Sequence, residues 1–259
     1  MQDTYKFIQA LPADNPSPDA KEYVEGIMKN ADETTIQRLI YGNFEYDNDP
    51  AKIMDYEKIL DCFRNTHVPT GRKCITADIA RFGNDKSVIG GWNGFRLERI
   101  KVLTKESLET VGQEIEQMRY SMGIGVSDVL ADEDGMGGGI IDFMKFKGFV
   151  NNSSPLPSPE NQQYKQNFDN LKSQCSFGMA DIVNKNELYL DVPEWVKPLI
   201  IQEMEQVKQK AMDNDQKKGV VSKDKIKEKL GRSPDFWDMI MMRYWFELKP
   251  RFKMSAVAV

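Results

Sequence analysis

The 259 residues carry 35 lysines and arginines against 40 aspartates and glutamates, a net charge of −5 at neutral pH. That length suits one large domain, or one domain with a sizeable appendage. No apolar run approaches the roughly 20 residues of a membrane helix, and the opening Met-Gln-Asp-Thr-Tyr has no basic-then-apolar leader, so a protein neither secreted nor in a membrane is expected. Cys62, Cys74 and Cys175 are odd in number and never in CxxC spacing, which points to reduced thiols in a cytosolic compartment rather than structural zinc. An acidic balance usually counts against nucleic-acid binding. Here, however, the cations concentrate between Lys208 and Arg232, while acids gather near Asp47, Asp132 and Asp235.

Residues 1–70 read as a helical connector. Asp14 to Asp19 is turn-rich, Ala20–Lys29 and Glu33–Ile40 have helical apolar spacing with Ser17 or Asp19 as a cap, and Ile53–Phe63 is a third short helix. Pro69-Thr70-Gly71 then turns the chain into Lys73–Ala80, an apolar strand with one carboxylate, Asp78, near its end. Gly83-Asn84 marks a turn, Ser87–Trp92 the second strand of a hairpin, and Asn93-Gly94 a further two-residue turn into a third strand, Phe95–Leu103. Leu108, Val111, Ile115 and Met118 recur at helical spacing, predicting an amphipathic helix over 105–121. Val126–Ala131 is a fourth strand, parallel to the first because a crossover helix precedes it. Beyond it the pattern predicts helices over 140–147, 164–184 and 195–212, a short strand at 188–192, a polar loop at 213–219 and a closing helix over 235–248. The whole is an α/β domain over 71–250, with 251–259 as a tail.

Asp78 and Asp132 end strands that should be neighbours, which is where open α/β sheets place ligands. In Gly231-Arg-Ser-Pro-Asp-Phe-Trp-Asp238, Ser233 is a natural N-cap and Pro234 a natural first helical residue, so Asp235 and Asp238 share one face of the first turns. A carboxylate buried in such places is costly unless paired or metal-bound. Four converging carboxylates call for divalent metal, and oxygen-only ligands select Mg²⁺ or Mn²⁺ over zinc. Two such ions activate water and stabilise the leaving oxygen of a phosphodiester.

Asp78-Ile-Ala-Arg-Phe-Gly-Asn-Asp85, Ala131-Asp-Glu-Asp-Gly-Met-Gly-Gly-Gly139 and Gly231–Asp238 together resemble the three acidic motifs of the C-terminal nuclease domain of large terminase subunits from tailed double-stranded DNA bacteriophages. Phe7-Ile-Gln-Ala with Asp14-Asn-Pro, and Leu39-Ile-Tyr-Gly-Asn-Phe44, are similar to the segment after the ATPase motor in those proteins. The resemblance implies a ribonuclease H-like mixed sheet flanked by helices, and a two-metal endonuclease of little sequence specificity that cuts concatemeric viral DNA during genome packaging. It maps the first catalytic aspartate onto Asp78 and the second acidic residue onto Asp132. Family members differ over the third, so Asp235 and Asp238 both stand. It further implies portal protein, small terminase subunit and an ATPase domain as partners, in the cytoplasm of an infected bacterium. No G-x-x-x-x-G-K-[ST] occurs, so the chain looks like a nuclease half without its motor.

Blander readings stand beside these. Asp85 is a hairpin-turn residue as readily as a ligand, and it stays a secondary candidate with Asp134. Asp132-Glu-Asp-Gly read as a calcium loop fails, since Gly135 as sixth residue puts Leu130 first and Ile141 twelfth. Gly137 to Gly139 is most simply a strand-to-helix joint. Lys217, Lys218, Lys223, Lys225, Lys227, Lys229 and Arg232 form either a solvated face or a basic flap on the DNA backbone without base readout. His67, the lone histidine, lies outside the motifs. Two other functions compete: a resolvase or ribonuclease H on branched or hybrid substrates, and a non-catalytic docking module for portal, small subunit or DNA whose carboxylates serve only as a metal staple.

Overall fold

The computed structural model describes residues 11–30, 36, 39–42, 49–80, 86–133, 143–158, 166–210 and 217–249. The chain divides into two compact units, 1–50 and 51–259. In the first, a tight turn at Pro12–Asp14 leads into helix α1 (Pro18–Asn30), in line with its apolar spacing. The connector was expected to run to residue 70, and residues 51–70 lie in the second unit. Helix α2 (Tyr56–Asp61) brings Ile59, with Met54 and Cys62 beside it, into the main hydrophobic core, so these residues are part of the second unit.

The second unit is built on a six-stranded mixed sheet. Its strands are β1 (Lys73–Asp78), β2 (Lys86–Asn93), β3 (Arg96–Thr104), β4 (Val129–Asp132), β5 (Lys147–Phe149) and β6 (Tyr189–Leu190), in the order β5-β4-β1-β2-β3-β6. β1, β2 and β3 are an antiparallel meander, while β4 runs parallel to β1, β5 to β4 and β6 to β3. Asn93 pairs with Arg96 across a two-residue turn whose first position is Gly94 at φ +68°, a conformation glycine adopts without strain. Period-two alternation assigns β1 side chains to two cores. Ile75 and Ala77 pack beneath helix α3 (Leu108–Met122) with Val111 and Ile115, whereas Cys74 faces the larger core. That core is closed by helices α4 (Leu171–Asn184), α5 (Lys197–Glu205), α7 (Asp235–Met242) and α8 (Trp245–Leu248). Helix α6 (Lys223–Leu230) precedes α7 and packs on α5. All three cysteines are buried free thiols, and burial pushes each of them up, Cys62 and Cys74 to about 12. Among the described residues no helix is long and apolar enough to cross a membrane.

Several expected boundaries move. The helix expected over 140–147 does not reach Lys147, which instead opens β5, a strand of three residues too short for periodicity to register. The long helix expected over 195–212 stops at Glu205. The amides of Gln206 and Val207 reach back three residues rather than four, and the next residues bond to other segments through Gln209 N–H to Ala51 O (2.6 Å) and Lys210 N–H to Gly219 O (2.8 Å). The closing helix breaks at Arg243, whose buried guanidinium donates to Gly94 O (2.8 Å) and Glu247 (2.8 Å). Pro234, not Ser233, is the cap residue of α7, and no side chain caps it.

One hydrogen-bonded residue locks this helix to the central strand. Thr76 Oγ1 accepts from Trp92 Nε1 (2.8 Å) and donates to Met239 O (2.8 Å), all of it buried and two positions from Asp78. Thr76→Val keeps the shape but strands the indole N–H in an apolar core. It is expected to cost about 1–3 kcal/mol, a fall in Tm of several degrees. Unchanged melting would show that the hydroxyl contributes nothing.

Candidate active site

The parallel register between β1 and β4 aligns Ala77 with Ala131, so the next residue on each strand, Asp78 and Asp132, projects on the same face at neighbouring strand ends. Helix α7 begins beside them. Asp78, Asp235 and Asp238 are 3, 5 and 3% exposed, and carboxylates that deeply buried need compensation. The compensation is Lys223. Its ammonium lies 2.8 Å from Asp238 Oδ2, 3.2 Å from Asp78 Oδ2 and 3.7 Å from Asp235 Oδ1. A second ammonium, Lys172, sits 2.6 Å from Asp238 Oδ1. Asp235 also accepts from the backbone N–H of Lys86 (3.2 Å), and Asp132 from Asn151 Nδ2 (3.2 Å).

The charges do not balance. Three buried carboxylates share two ammonium groups, with the half-buried Asp132 beside them. Burial drives Asp78 well above the usual carboxylate range, with Asp238, Asp235 and Asp132 adding to it and Lys223 opposing. Asp238 goes the other way: burial works against its charge, but Lys172 and Lys223 hold it below the usual range. Lys223 is held above the ordinary lysine range, because Asp238 and Asp78 outweigh the burial that would lower it. Neighbouring acids with divergent proton affinities mark a functional site more often than a structural one.

Among the described residues no three acids form a ready-made ion cage, and Lys223 stands where three of them meet. The donor set still fits a hard divalent cation. It is all oxygen, surplus in negative charge, and already wrapped around a cationic group. Asp78, Asp132, Asp235 and Asp238 would hold such an ion once the Lys223 side chain, 36% exposed, withdraws.

The basic residues divide into two groups. Lys225, Lys227 and Lys229 lie exposed on α6, with Lys217 and Lys218 exposed before it, whereas Lys223 belongs to the acidic cluster. Arg232 is engaged within the protein, its guanidinium bonded to buried Glu203 and to Leu199 O (3.0 Å). Glu203 in turn accepts from the backbone N–H of Trp237 (2.8 Å), so the pair fastens the start of the helix that carries Asp235 and Asp238. Burial pushes Glu203 up to about 8 despite Arg232. Arg232→Ala is therefore expected to act on stability, costing about 1–3 kcal/mol by leaving the buried Glu203 carboxyl group without its partner, with the salt dependence of DNA binding unchanged. Thermal melts beside a salt titration separate this from a direct DNA contact. Asp85 and Asp134 lie outside the described residues. His67 Nε2 donates to Asn186 O (3.1 Å), away from the cluster.

Sequence reasoning missed Lys172 and the part played by Lys223. The signal was local: both lysines fall in the first turn of a helix, where the dipole favours acids. A cation there has a reason from outside the helix, and for both that reason includes Asp238.

A mixed sheet with an antiparallel meander, parallel outer strands, flanking helices and acids at adjacent strand ends is a ribonuclease H-like fold. It is the fold of large terminase nuclease domains. The nuclease domain of the large terminase subunit gp2 of bacterial virus Sf6 is similar at a TM-score of 0.64 and 18% identity, covering 77% of this chain and 99% of that one. A mutant of the same nuclease domain with manganese and beta-thujaplicinol gives the same values. A mutant gp2c of the large terminase subunit from bacteriophage Sf6 with calcium also has a TM-score of 0.64 and 18% identity, over 77% of this chain and 100% of that chain. No protein-family model and no curated protein matches the sequence.

Proposed function

We propose that this chain is a metal-dependent endonuclease that cuts concatemeric viral double-stranded DNA during genome packaging. The observation that carries the reading is the meeting of Asp78, Asp235 and Asp238 around Lys223, with Asp132 at the adjacent strand end. The shared fold supports it, as do the manganese and calcium in the similar Sf6 structures. Two Mg²⁺ or Mn²⁺ ions, if held by these carboxylates, would supply water activation and charge stabilisation at the leaving oxygen. Asp78 would help hold both ions, Asp132 one of them, and Asp235 with Asp238 the other. Lys172 keeps Asp238 ionised and oriented, and the Glu203–Arg232 pair fixes the helix start. Lys223 neutralises the cluster until metal and DNA displace it. On this reading, residues 1–50 join the nuclease to an ATPase motor, and portal and small subunit are its partners in the infected cell's cytoplasm.

Plasmid nicking with Mn²⁺ tests the proposal. Wild type is expected to convert supercoiled DNA to open-circular and linear forms, and EDTA to stop it; no conversion at high enzyme concentration rejects it. The ion pairs of Lys223 favour a second reading, a docking module in which the acid-lysine cluster is only a staple. That reading expects no nicking and no melting shift with Mn²⁺.

A further inference from the structure

Beside the acidic cluster lies a cleft of about 420 Å³. It is walled by the turn at Asn151-Asn152, the start of α4, Lys210, Val220 to Lys223, and Lys225 on α6. Three of its wall residues also touch the carboxylates: Asn151 bonds to Asp132, Lys172 to Asp238, and Lys223 to Asp78 and Asp238. Four lysines line it, 172, 210, 223 and 225, against one carboxylate, Asp169, which lies 4.0 Å from Lys210. The other described lining residues are asparagines, serines and two valines, and none is aromatic.

The geometry points to this cleft as the seat of the DNA backbone on one side of the cut: one or two phosphodiester groups of the strand whose scissile phosphate lies at the carboxylates. This assignment rests on the nuclease reading. The ammonium groups of Lys210 and Lys225, which lie outside the acidic cluster, suit phosphate, and small amide and hydroxyl side chains suit phosphate oxygens and sugar. The described lining offers no ring on which a base could stack and no charged fork for a base edge, so the cleft holds backbone without reading sequence. It adds Lys210 to the basic residues marked in the sequence and selects Lys225 from among the exposed lysines of α6. Lys227 and Lys229, on the same helix, do not line it.

The test is binding of a short fluorescent duplex to the full chain in Ca²⁺ without Mg²⁺ or Mn²⁺, across a salt series. The double variant Lys210→Gln/Lys225→Gln is compared with wild type and with Lys101→Gln, a change on β3 whose lysine pairs with Glu114. The double variant is expected to bind roughly 10-fold more weakly at low salt, with a log–log salt slope shallower by about 1–2. Its melting shift with Mn²⁺ is expected to equal that of wild type, and Lys101→Gln to bind as wild type does. Wild-type affinity and slope in the double variant overturn the assignment, and so does an equal loss in Lys101→Gln. If wild type nicks plasmid while the double variant binds normally, the cleft falls and the nuclease stands. If the double variant loses binding while wild type never nicks, the cleft holds DNA and the nuclease reading falls.

Discussion

Asp78→Asn is expected to abolish plasmid nicking, lowering the rate by about 10³-fold or more, while the metal-free protein melts at the wild-type temperature or above it. The first half follows from position: Asp78 is the acid in the central strand, flanked by Asp132 and by the helix that carries the other two. Losing it removes roughly 4 kcal/mol of transition-state stabilisation. The second half follows from its proton affinity, which burial raises well above the ordinary 3.8. Above pH 3.8 the folded protein keeps a proton that the unfolded chain releases. The stability this contributes is complete below 3.8 and is lost as pH rises through the folded value. Asparagine carries no such liability, so in EDTA the variant's advantage should widen with rising pH. Mn²⁺ should reverse the order, raising the Tm of wild type alone. Equal nicking by both proteins would remove Asp78 from catalysis.

Lys223→Ala separates a cation that stands in for metal from one that merely decorates the surface. At neutral pH the ammonium is fully charged, since the acids around it hold its proton above the ordinary lysine value of 10.5, and its stabilising effect is lost only at still higher pH. Its removal leaves three buried carboxylates with Lys172 alone. Metal-free stability is expected to fall by about 1–3 kcal/mol, discounted for a side chain one-third exposed. Apparent Mn²⁺ affinity should tighten about 10-fold, roughly 1.4 kcal/mol, because the ion no longer competes with a resident charge. Melting curves across a Mn²⁺ titration give both numbers. An unchanged or weaker midpoint would mean that lysine and metal do not share the site.

Much of this was written in local sequence. The apolar run that ends at Asp78 defines the central strand, the Asn93-Gly94 turn joins the second strand to the third, and the spacing of Val111 and Ile115 defines the crossover helix that makes β4 parallel to β1. That arrangement places Asp78 beside Asp132. The Ser-Pro-Asp-Phe-Trp-Asp segment announces a helix start, though its cap falls one residue later than the side chains suggest. What could not be read depends on distant partners. β5 is three residues long and exists because β4 offers it an edge. Just beyond helix α5 the backbone is claimed by Ala51, far away in sequence, and by Gly219 across the following loop. Lys223 sat in a lysine-rich run that resembles any solvated face, and only the fold turns it inward while Lys225 and Lys227 stay in water. Arg232 stood in the same run, and only the fold pairs it with Glu203.

Anomalous scattering from crystals soaked in Mn²⁺ tests the central claim most directly. Manganese is expected about 2.1–2.2 Å from carboxylate oxygens of Asp78 and of at least one of Asp132, Asp235 and Asp238, with the Lys223 ammonium moved away from its present position. Manganese bound elsewhere on the molecule, with Lys223 still seated among Asp78, Asp235 and Asp238, would contradict the account.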